Sequence, residues 1–399
     1  MRSNELIQSP EKCSSCGACV NACPVSAISL SKDSKGFLFP KIEESKCINC
    51  KKCISICPLK NAFLSNNRKD RVYAVVNKDK NLLRMSASGG AFSAIASWAL
   101  DNDYFVYGCA WNPEMYPIHI CVSNISDLPK LLGSKYVQSD AGSVFTEIKE
   151  KLFDGKKVLF SGTPCQCDGL RRFVGKTFDN LICIELVCHG VPSATLFHDY
   201  IELLEARLNG KIYDLKFRDK KRGWGALLRI DYINYRGKKR TAFLSPDESF
   251  YYSYYWDGYL YRDSCYQCKY AGPNRQSDLT IGDYWGIQKV HPEIDASLGV
   301  SVVLSSTEKG DMILRQTTDY LSIVPSEIEK AQIENGQLLD SSQKSELNEV
   351  LLEIYEKDGI EGLRKYYVSN SKKKIIRGKI KRWIPLKVKR AIIKLISSN

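Results

Sequence analysis

The chain has 399 residues, with 58 Lys and Arg against 45 Asp and Glu, a formal charge of +13 and 16 cysteines. Its apolar share of 44% excludes a disordered chain, and its length predicts two or three domains. No run approaches the roughly 18 apolar residues of a membrane-spanning helix. The N-terminal stretch lacks the apolar segment of a secretory signal, so the cysteines predict metal or redox chemistry in a reducing cytoplasm rather than disulfides.

Residues 1–67 contain two near-copies of one cysteine motif, about 34 residues apart. Each copy reads C-x2-C-x2-C-x3-C-P, which is the spacing of bacterial ferredoxins that bind two 4Fe–4S clusters. In that arrangement the fourth cysteine of each copy ligates the other cluster. One predicted ligand set is Cys13, Cys16, Cys19 and Cys57, and the other is Cys47, Cys50, Cys53 and Cys23. A pair of zinc sites is the alternative, but two complete runs that both end in Cys-Pro favour iron–sulfur clusters.

From Arg71 onward, short apolar runs typical of strands alternate with stretches typical of helices, after a polar linker at 65–70. Strands are predicted at 72–76, 156–162 and 181–188, a hairpin at 227–244, and helices at 88–100, after Pro164 and from Pro192 to about Asn209. The aromatic run at 250–261 is interpreted as a helix packed on the core, with a wall of a cofactor site as the alternative. The pattern predicts an α+β protein: a small ferredoxin-type module (1–67), a larger mixed α/β domain (71–370) and a basic helical tail (371–399).

A second group of cysteines lies in the larger domain. Cys165 follows one predicted strand end and Cys188 sits at another, where sites assemble in α/β folds, and Cys265 and Cys268 lie in a polar loop. These four predict a third 4Fe–4S cluster, against the alternative of scattered free thiols. Cys167 and Cys183 are further thiols nearby, and either could replace one of the four ligands.

Ser88, Gly89 and Gly90 stand at the start of the helix predicted at 88–100. Glycines in this position let backbone N–H groups and the helix dipole face an anion such as a cofactor phosphate, although a plain turn fits as well. The chain contains no Walker motif and no GxGxxG, so the sequence does not support nucleotide hydrolysis or the usual dinucleotide fingerprint.

Five short motifs follow one another between residues 72 and 300. They are Ser86-Ala87-Ser88-Gly89-Gly90, GSKYVQS (133–139), SGTPCQ (161–166), CHGVPS (188–193), and Cys265-x2-Cys268 followed by SDLTIGDYWG (277–286). In these motifs the chain resembles the beta-subunit family of coenzyme F420 hydrogenases and dehydrogenases, with a two-cluster ferredoxin module fused in front. The resemblance implies a flavin-binding domain for FAD and a third cluster. It implies that FAD is lined by Ser88, Gly89, Gly90, Lys135, Tyr136, Gly162 and Thr163, and that the cluster is held by Cys165, Cys188, Cys265 and Cys268.

The function implied is that of an iron–sulfur flavoprotein oxidoreductase. Iron–sulfur clusters carry single electrons, whereas a flavin can exchange one or two. The expected partners are a ferredoxin or other redox donor and a small-molecule substrate or carrier, and bacterial relatives suggest a place in surface-polysaccharide metabolism. The alternative is an electron-transfer adaptor subunit without a substrate of its own. The sequence assigns no catalytic residue.

The positive charge is concentrated in the tail. Residues 371–399 contain eleven Lys and Arg and no acid, so residues 1–370 carry only +2. Isoleucines and leucines alternate with these cations around Pro385, which predicts basic amphipathic helices suited to an anionic membrane surface. Peripheral contact with the inner face of the membrane is therefore expected. Nucleic-acid binding is a weaker alternative, and a helix packed against the protein body is another.

Overall fold

The computed structural model describes residues 10–61 and 71–383. The linker predicted at 65–70 and the tail beyond Trp383 lie outside the described residues. The predicted fold class is confirmed: a small cysteine-rich module precedes a larger domain in which helices surround a mixed sheet.

The N-terminal module consists of two very short helices and one hairpin. These elements are α1 (Ala18–Ala22), β1 (Ile28–Lys32), β2 (Leu38–Ile42) and α2 (Lys52–Ser55). Each helix begins directly after a residue in the left-handed region, Gly17 with φ 87° and Lys51 with φ 58°. These reversals fold the cysteine loops back on themselves, so the thiols of one motif face a common centre.

The larger domain is built on one eight-stranded sheet. Its strands are β3 (Arg71–Asn77), β4 (Tyr104–Trp111), β5 (Pro117–Val122), β6 (Lys157–Gly162), β7 (Leu181–Leu186), β11 (Leu279–Asp283), β12 (Ser301–Ser305) and β13 (Leu321–Ser326). The order is β13-β3-β12-β11-β7-β6-β4-β5. The central strands β4, β6, β7 and β11 run parallel, and the outer strands pair antiparallel. The carboxyl ends of four adjacent strands therefore meet at one edge, where loops can assemble a site.

Helices cover both faces of this sheet. They are α3 (Lys80–Met85), α4 (Ala91–Asp101), α5 (Val144–Phe153), α6 (Pro164–Val174), α9 (Ile287–Val290), α10 (Glu308–Gln316) and α11 (Ile328–Gln332). Side chains of α4 and α10 fill the core on one face. On the other face, α5 and α6 pack together with Cys16 and Ala18 of the N-terminal module. Apolar burial therefore joins the two parts of the chain.

A second, three-stranded antiparallel sheet packs with long helices beside the main sheet. The strands of this sheet are β8 (Gly210–Lys216), β9 (Leu228–Asn234) and β10 (Lys239–Leu244). The helices that pack with it are α7 (Ala194–Leu208), α8 (Phe250–Trp256) and α12 (Glu346–Asn370). Helix α8 carries the aromatic run, and Tyr251 and Tyr252 are fully buried. Their hydroxyls donate to the backbone carbonyls of Tyr136 and Phe217 at 2.7 and 2.8 Å. The predicted helix packed on the core is confirmed.

Most predicted elements occur close to their predicted positions. The strands at 72–76 and 156–162 and the hairpin at 227–244 match β3, β6 and the β9–β10 pair. Two boundaries differ. Helix α4 begins at Ala91 rather than at residue 88, because Gly90 adopts φ 78°, and β7 ends at Leu186, which leaves Cys188 in the following loop.

The described part of the tail packs on the protein body. Helix α13 (Lys372–Trp383) forms three ion pairs, which join Lys374 to Asp257 at 2.6 Å, Arg377 to Asp247 at 3.3 Å and Arg382 to Glu248 at 3.1 Å. For residues 372–383 the structure therefore favours the packed helix among the alternatives. None of the helices described is both long and apolar enough to cross a bilayer.

The N-terminal module rests against α6 at Gly169. A Cβ at this glycine would lie 3.0 Å from Cys16 Sγ and 3.4 Å from Ala18 Cβ. We expect Gly169→Val to destabilise the protein by about 1–3 kcal/mol through overpacking, although valine has a higher helix propensity than glycine. Chemical denaturation of the anaerobically purified protein measures this change. The matched control is Gly336→Val, since nothing lies within 4 Å of a Cβ there. Equal stabilities of the two variants would contradict a tight contact at Gly169.

Candidate functional site

In the N-terminal module, the fourth cysteine of each motif lies near thiols of the other motif. Burial raises the pKa of Cys19 to about 12, with further contributions from Cys13, Cys57 and Cys53. Burial also raises the pKa of Cys53, and the nearby thiols there are Cys50 and Cys23. Cys57 therefore lies with the first motif and Cys23 with the second, in the exchanged arrangement that the spacing predicts.

Backbone N–H groups point at the sulfur atoms of both groups. The amides of Ala18 and Val20 donate to Cys16 and Cys19, and Ala27 N lies 3.1 Å from Cys23 Sγ. Such donors lower the pKa of a thiol, against the larger effect of burial. They stabilise a thiolate, which is the form that ligates iron, so the donor set fits an iron–sulfur cluster.

A third group of thiols surrounds a cavity of about 300 Å³, called the cysteine cavity. Its wall contains Cys165 at the start of α6, Cys188 after β7, and Cys265 and Cys268 in the loop before β11. Burial raises the pKa of Cys265 to about 12, and Cys268 and Cys165 add to the effect. Ser14 and Pro58 of the N-terminal module also line this cavity, so it lies at the junction of the two parts.

Cys167 and Cys183 lie outside this group. Cys167 Sγ is buried 3.7 Å from the carbonyl oxygen of Ile184, and neither thiol lines the cysteine cavity. Burial raises the pKa of Cys183 to about 12. The geometry therefore brings together the four cysteines that the sequence motifs single out and leaves the two further thiols as core residues.

The spacing of the thiols argues against zinc. Four thiolates at about 2.3 Å from one tetrahedral ion lie less than about 4 Å from one another. Among residues 10–61 and 71–383, no three cysteine sulfurs lie within 4.8 Å of one another. The described thiol groups are therefore too wide for a single zinc ion and suit a larger cluster.

A second cavity, the strand-end cavity, lies at the carboxyl ends of the parallel strands. Its volume is about 490 Å³, within the range of small-molecule sites. Six of the seven predicted flavin residues line it, namely Ser88, Gly90, Lys135, Tyr136, Gly162 and Thr163. Gly89 lies behind this wall, where a Cβ would come within 2.4 Å of Val75 O and 2.3 Å of Ser301 N. Gly89 therefore allows the backbone of the loop to approach the sheet.

The start of α4 and a row of aromatic rings form much of this wall. Gly90 precedes α4 and lines the cavity together with Phe92 and Ser93 of the first turn, so the start of this helix borders the cavity, and a helix start suits a phosphate. Tyr136 stacks on Tyr255 with ring centroids 4.3 Å apart, and Trp256 and Trp285 also line the cavity. An anion site beside an aromatic wall suits a ligand with both a phosphate and a planar ring system.

Arg218 is the main charged group of the strand-end cavity, and the sequence motifs do not reveal it. Its guanidinium donates to both carboxylate oxygens of Asp283 at 2.8 and 3.1 Å and to the Tyr136 hydroxyl at 3.1 Å. It also lies 5.0 Å from the ring centroid of Trp285. Asp283, which lies in the SDLTIGDYWG motif, therefore forms an ion pair with a residue from a loop 65 positions earlier in the chain.

The two cavities share a wall. Thr163, Cys188 and His189 line both of them. The Thr163 hydroxyl contacts Cys165 Sγ at 3.1 Å, and burial lowers the pKa of His189. A group bound by the four cysteines and a ligand in the strand-end cavity are therefore separated by a single layer of side chains.

Lys220 supports the loop before α4 from behind. Its ammonium group donates to the backbone carbonyls of Leu83, at 2.6 Å, and of Ser88. Burial, with the positive charge of Arg218 nearby, lowers the pKa of Lys220 to about 7. The neutral amine still offers two N–H donors for these two carbonyls.

We expect Lys220 to make the protein more stable as the pH rises from about 7 to about 10. In this range the unfolded lysine still binds a proton that the folded one has released. The stability advantage of the wild type over Lys220→Met should therefore grow with pH. Urea denaturation at pH 7 and pH 9 measures it, with Lys238→Met, an exposed lysine, as the control. An advantage that does not depend on pH would contradict a lowered pKa.

Comparisons with known proteins identify two family matches along the chain. Residues 12–61 match the family described as 4Fe-4S dicluster domain, and residues 155–331 match the family described as the C terminus of the Coenzyme F420 hydrogenase/dehydrogenase beta subunit. No curated protein sequence matches the chain. Among solved structures, the chain is similar to one in the F420-reducing NiFe hydrogenase complex from Methanosarcina barkeri, at 16% identity and a TM-score of 0.41, covering 77% of this chain and 93% of that chain.

Proposed function

On the premise that residues 12–61 form a 4Fe-4S dicluster domain and residues 155–331 the C-terminal domain of the coenzyme F420 hydrogenase/dehydrogenase beta-subunit family, we propose that the chain is an iron–sulfur flavoprotein oxidoreductase. It holds two 4Fe–4S clusters in the N-terminal module, a third in the cysteine cavity and FAD in the strand-end cavity. The observation that carries the proposal is the wall shared by the two cavities.

The three thiol groups form a series from the surface to the interior. Cys50 of the second motif is exposed, whereas Cys16 of the first motif is buried. Cys165 lies close enough to Cys13 and Cys16 to raise the pKa values of both thiols, after the larger effect of burial. When bound, the clusters supply single-electron transfer. The second motif therefore faces an external redox donor, and the first faces the main domain.

FAD fits the strand-end cavity by three features of the chain. The first turn of α4 would offer N–H donors to a diphosphate, and Tyr136, Trp256 and Trp285 place aromatic side chains on the wall beside it, where a planar ring system would pack. Flavin, when bound, supplies exchange between one-electron and two-electron chemistry. Arg218 keeps Tyr136 oriented through their hydrogen bond. The apolar part of the wall would keep water away from the bound flavin. A place in surface-polysaccharide metabolism stays a prediction from the resemblance.

The proposal predicts about twelve irons and one FAD per chain after anaerobic purification, four irons for each thiol group. Eight irons without flavin would overturn it and favour the adaptor subunit that has no substrate of its own.

In the same assay, we expect Cys265→Ser to lower the iron content to about eight, because one of four ligands is lost. Cys167→Ser is the matched control. It removes a buried thiol of the same helix as Cys165, but the content should stay near twelve. Loss of iron from the Cys167 variant alone would place a different thiol in the third ligand set.

We further propose that the tail contacts an anionic membrane surface. Lys374, Arg377 and Arg382 are paired with body carboxylates, whereas Ile376 and Ile380 are 58% and 57% exposed. Flotation with vesicles rich in phosphatidylserine or phosphatidylglycerol tests the proposal. The full chain should float, and the chain ending at Ser371 should not, because it lacks these isoleucines and the tail cations. Equal flotation of the full and the shortened chain would contradict membrane contact by the tail. Binding of the full chain to nucleic acid, without binding to vesicles, would support nucleic-acid binding by the tail instead.

A further inference from the structure

Arg262 is a fully buried cation at the junction of the N-terminal module and the main domain. It is 2% exposed, directly after the aromatic run and three residues before Cys265. Burying a guanidinium is costly, so such a group needs hydrogen bonds and compensating charge. The flavin residues and the predicted ligand sets do not include it.

The guanidinium connects three segments of the chain. Its Nη1 donates to the carbonyl of Cys13 at 3.1 Å, and its Nη2 donates to the carbonyl of Leu38 at 2.6 Å. Nε and Nη2 both donate to Gln138 Oε1, at 3.1 and 2.9 Å, and Gln138 in turn donates to the carbonyl of Ser14 at 3.1 Å. The hydrogen bonds of Arg262 thus hold the first cysteine loop of the module against the main domain.

None of these acceptors carries a charge. Among residues 10–61 and 71–383, no carboxylate lies within 4.0 Å of the guanidinium nitrogens, and the rings of Phe37 and Phe39 lie 5.2 and 4.5 Å from its centre. Burial lowers the pKa of Arg262, and the acidic groups that oppose this are Cys13, Cys265, Asp33 and Cys165. Three of these four are thiols of the first motif and of the cysteine cavity.

We propose that Arg262 is a positioning residue for electron transfer between the two parts of the chain, and that its unpaired charge stabilises the reduced form of the two clusters on either side of it. This inference rests on the proposed function. Reduction adds one negative charge to a cluster, and a buried cation nearby favours the more negative form. Because Arg262 faces both the Cys13 and the Cys265 groups, it raises both reduction potentials together. The second motif, with Cys47 and Cys50, lies outside its contacts.

The test is a potentiometric titration of the anaerobically purified protein, followed by electron paramagnetic resonance. Removing the charge by Arg262→Met should lower the potentials of the Cys13 and Cys265 clusters and leave that of the Cys47 cluster unchanged. Arg262→Lys, which keeps the charge and loses the planar fork, should retain the potentials but weaken the magnetic coupling between the two clusters. Arg229→Met is the control, since Arg229 is paired with Asp231 at 2.9 Å on β9.

A second variant covers the case in which Arg262→Met loses iron. Gln138→Glu places a carboxylate against the guanidinium at nearly constant shape, so it should lower the same two potentials. Wild-type potentials in an iron-replete Arg262→Met or Gln138→Glu protein would overturn the proposal. Iron loss from Arg262→Lys as well would assign Arg262 a packing role only. If the wild type binds only eight irons, the proposed function is wrong. The effect of Arg262→Met on the reduction potential of the Cys13 cluster can still be measured in that case, so the role of Arg262 is tested separately.

Discussion

Thiol groups withdrawn from water are the constraint on which this structure depends. An apolar interior disfavours the thiolate, and burial is the largest cause of the raised pKa at Cys13, Cys19, Cys188 and Cys265. Two features of the fold offset the free-energy cost of a buried thiolate. Backbone N–H groups donate to sulfur, and the buried cation Arg262 lies between two of the thiol groups. Metal binding would release the remaining cost, so cluster insertion and completion of the fold are one thermodynamic event.

The close approach of the two cavities follows from sheet topology. Strands β6 and β7 are parallel neighbours, so the loops that follow them leave the same edge of the sheet. Each loop presents one side to the cysteine cavity and the other to the strand-end cavity, through Thr163 and through Cys188 with His189. The two cavities thus use the same pair of strand ends, and no long connection is needed between them.

Local spacing was enough to predict the 4Fe–4S dicluster module, because three cysteines of each motif lie within seven residues of one another and the motif occurs twice. The strands and the aromatic helix could also be predicted, since hydrophobic periodicity is local. Arg262 and Arg218 could not be found this way, because all but one of the hydrogen-bond partners of their side chains lie 65 to 249 residues away in the chain. Gly89 is a different case, because its motif can be recognised in the sequence but its role cannot. Only the structure shows that Ser88 and Gly90 line the cavity, whereas Gly89 lets the loop approach the sheet.

The packing of Cys16 and Ala18 into the core of the larger domain has a consequence for biosynthesis. The module emerges from the ribosome before α5 and α6 exist, and these helices bury its apolar surface. An early module therefore carries an exposed apolar patch beside its thiols. That patch stays uncovered until α6, which ends at Val174, has left the ribosome and folded onto the module.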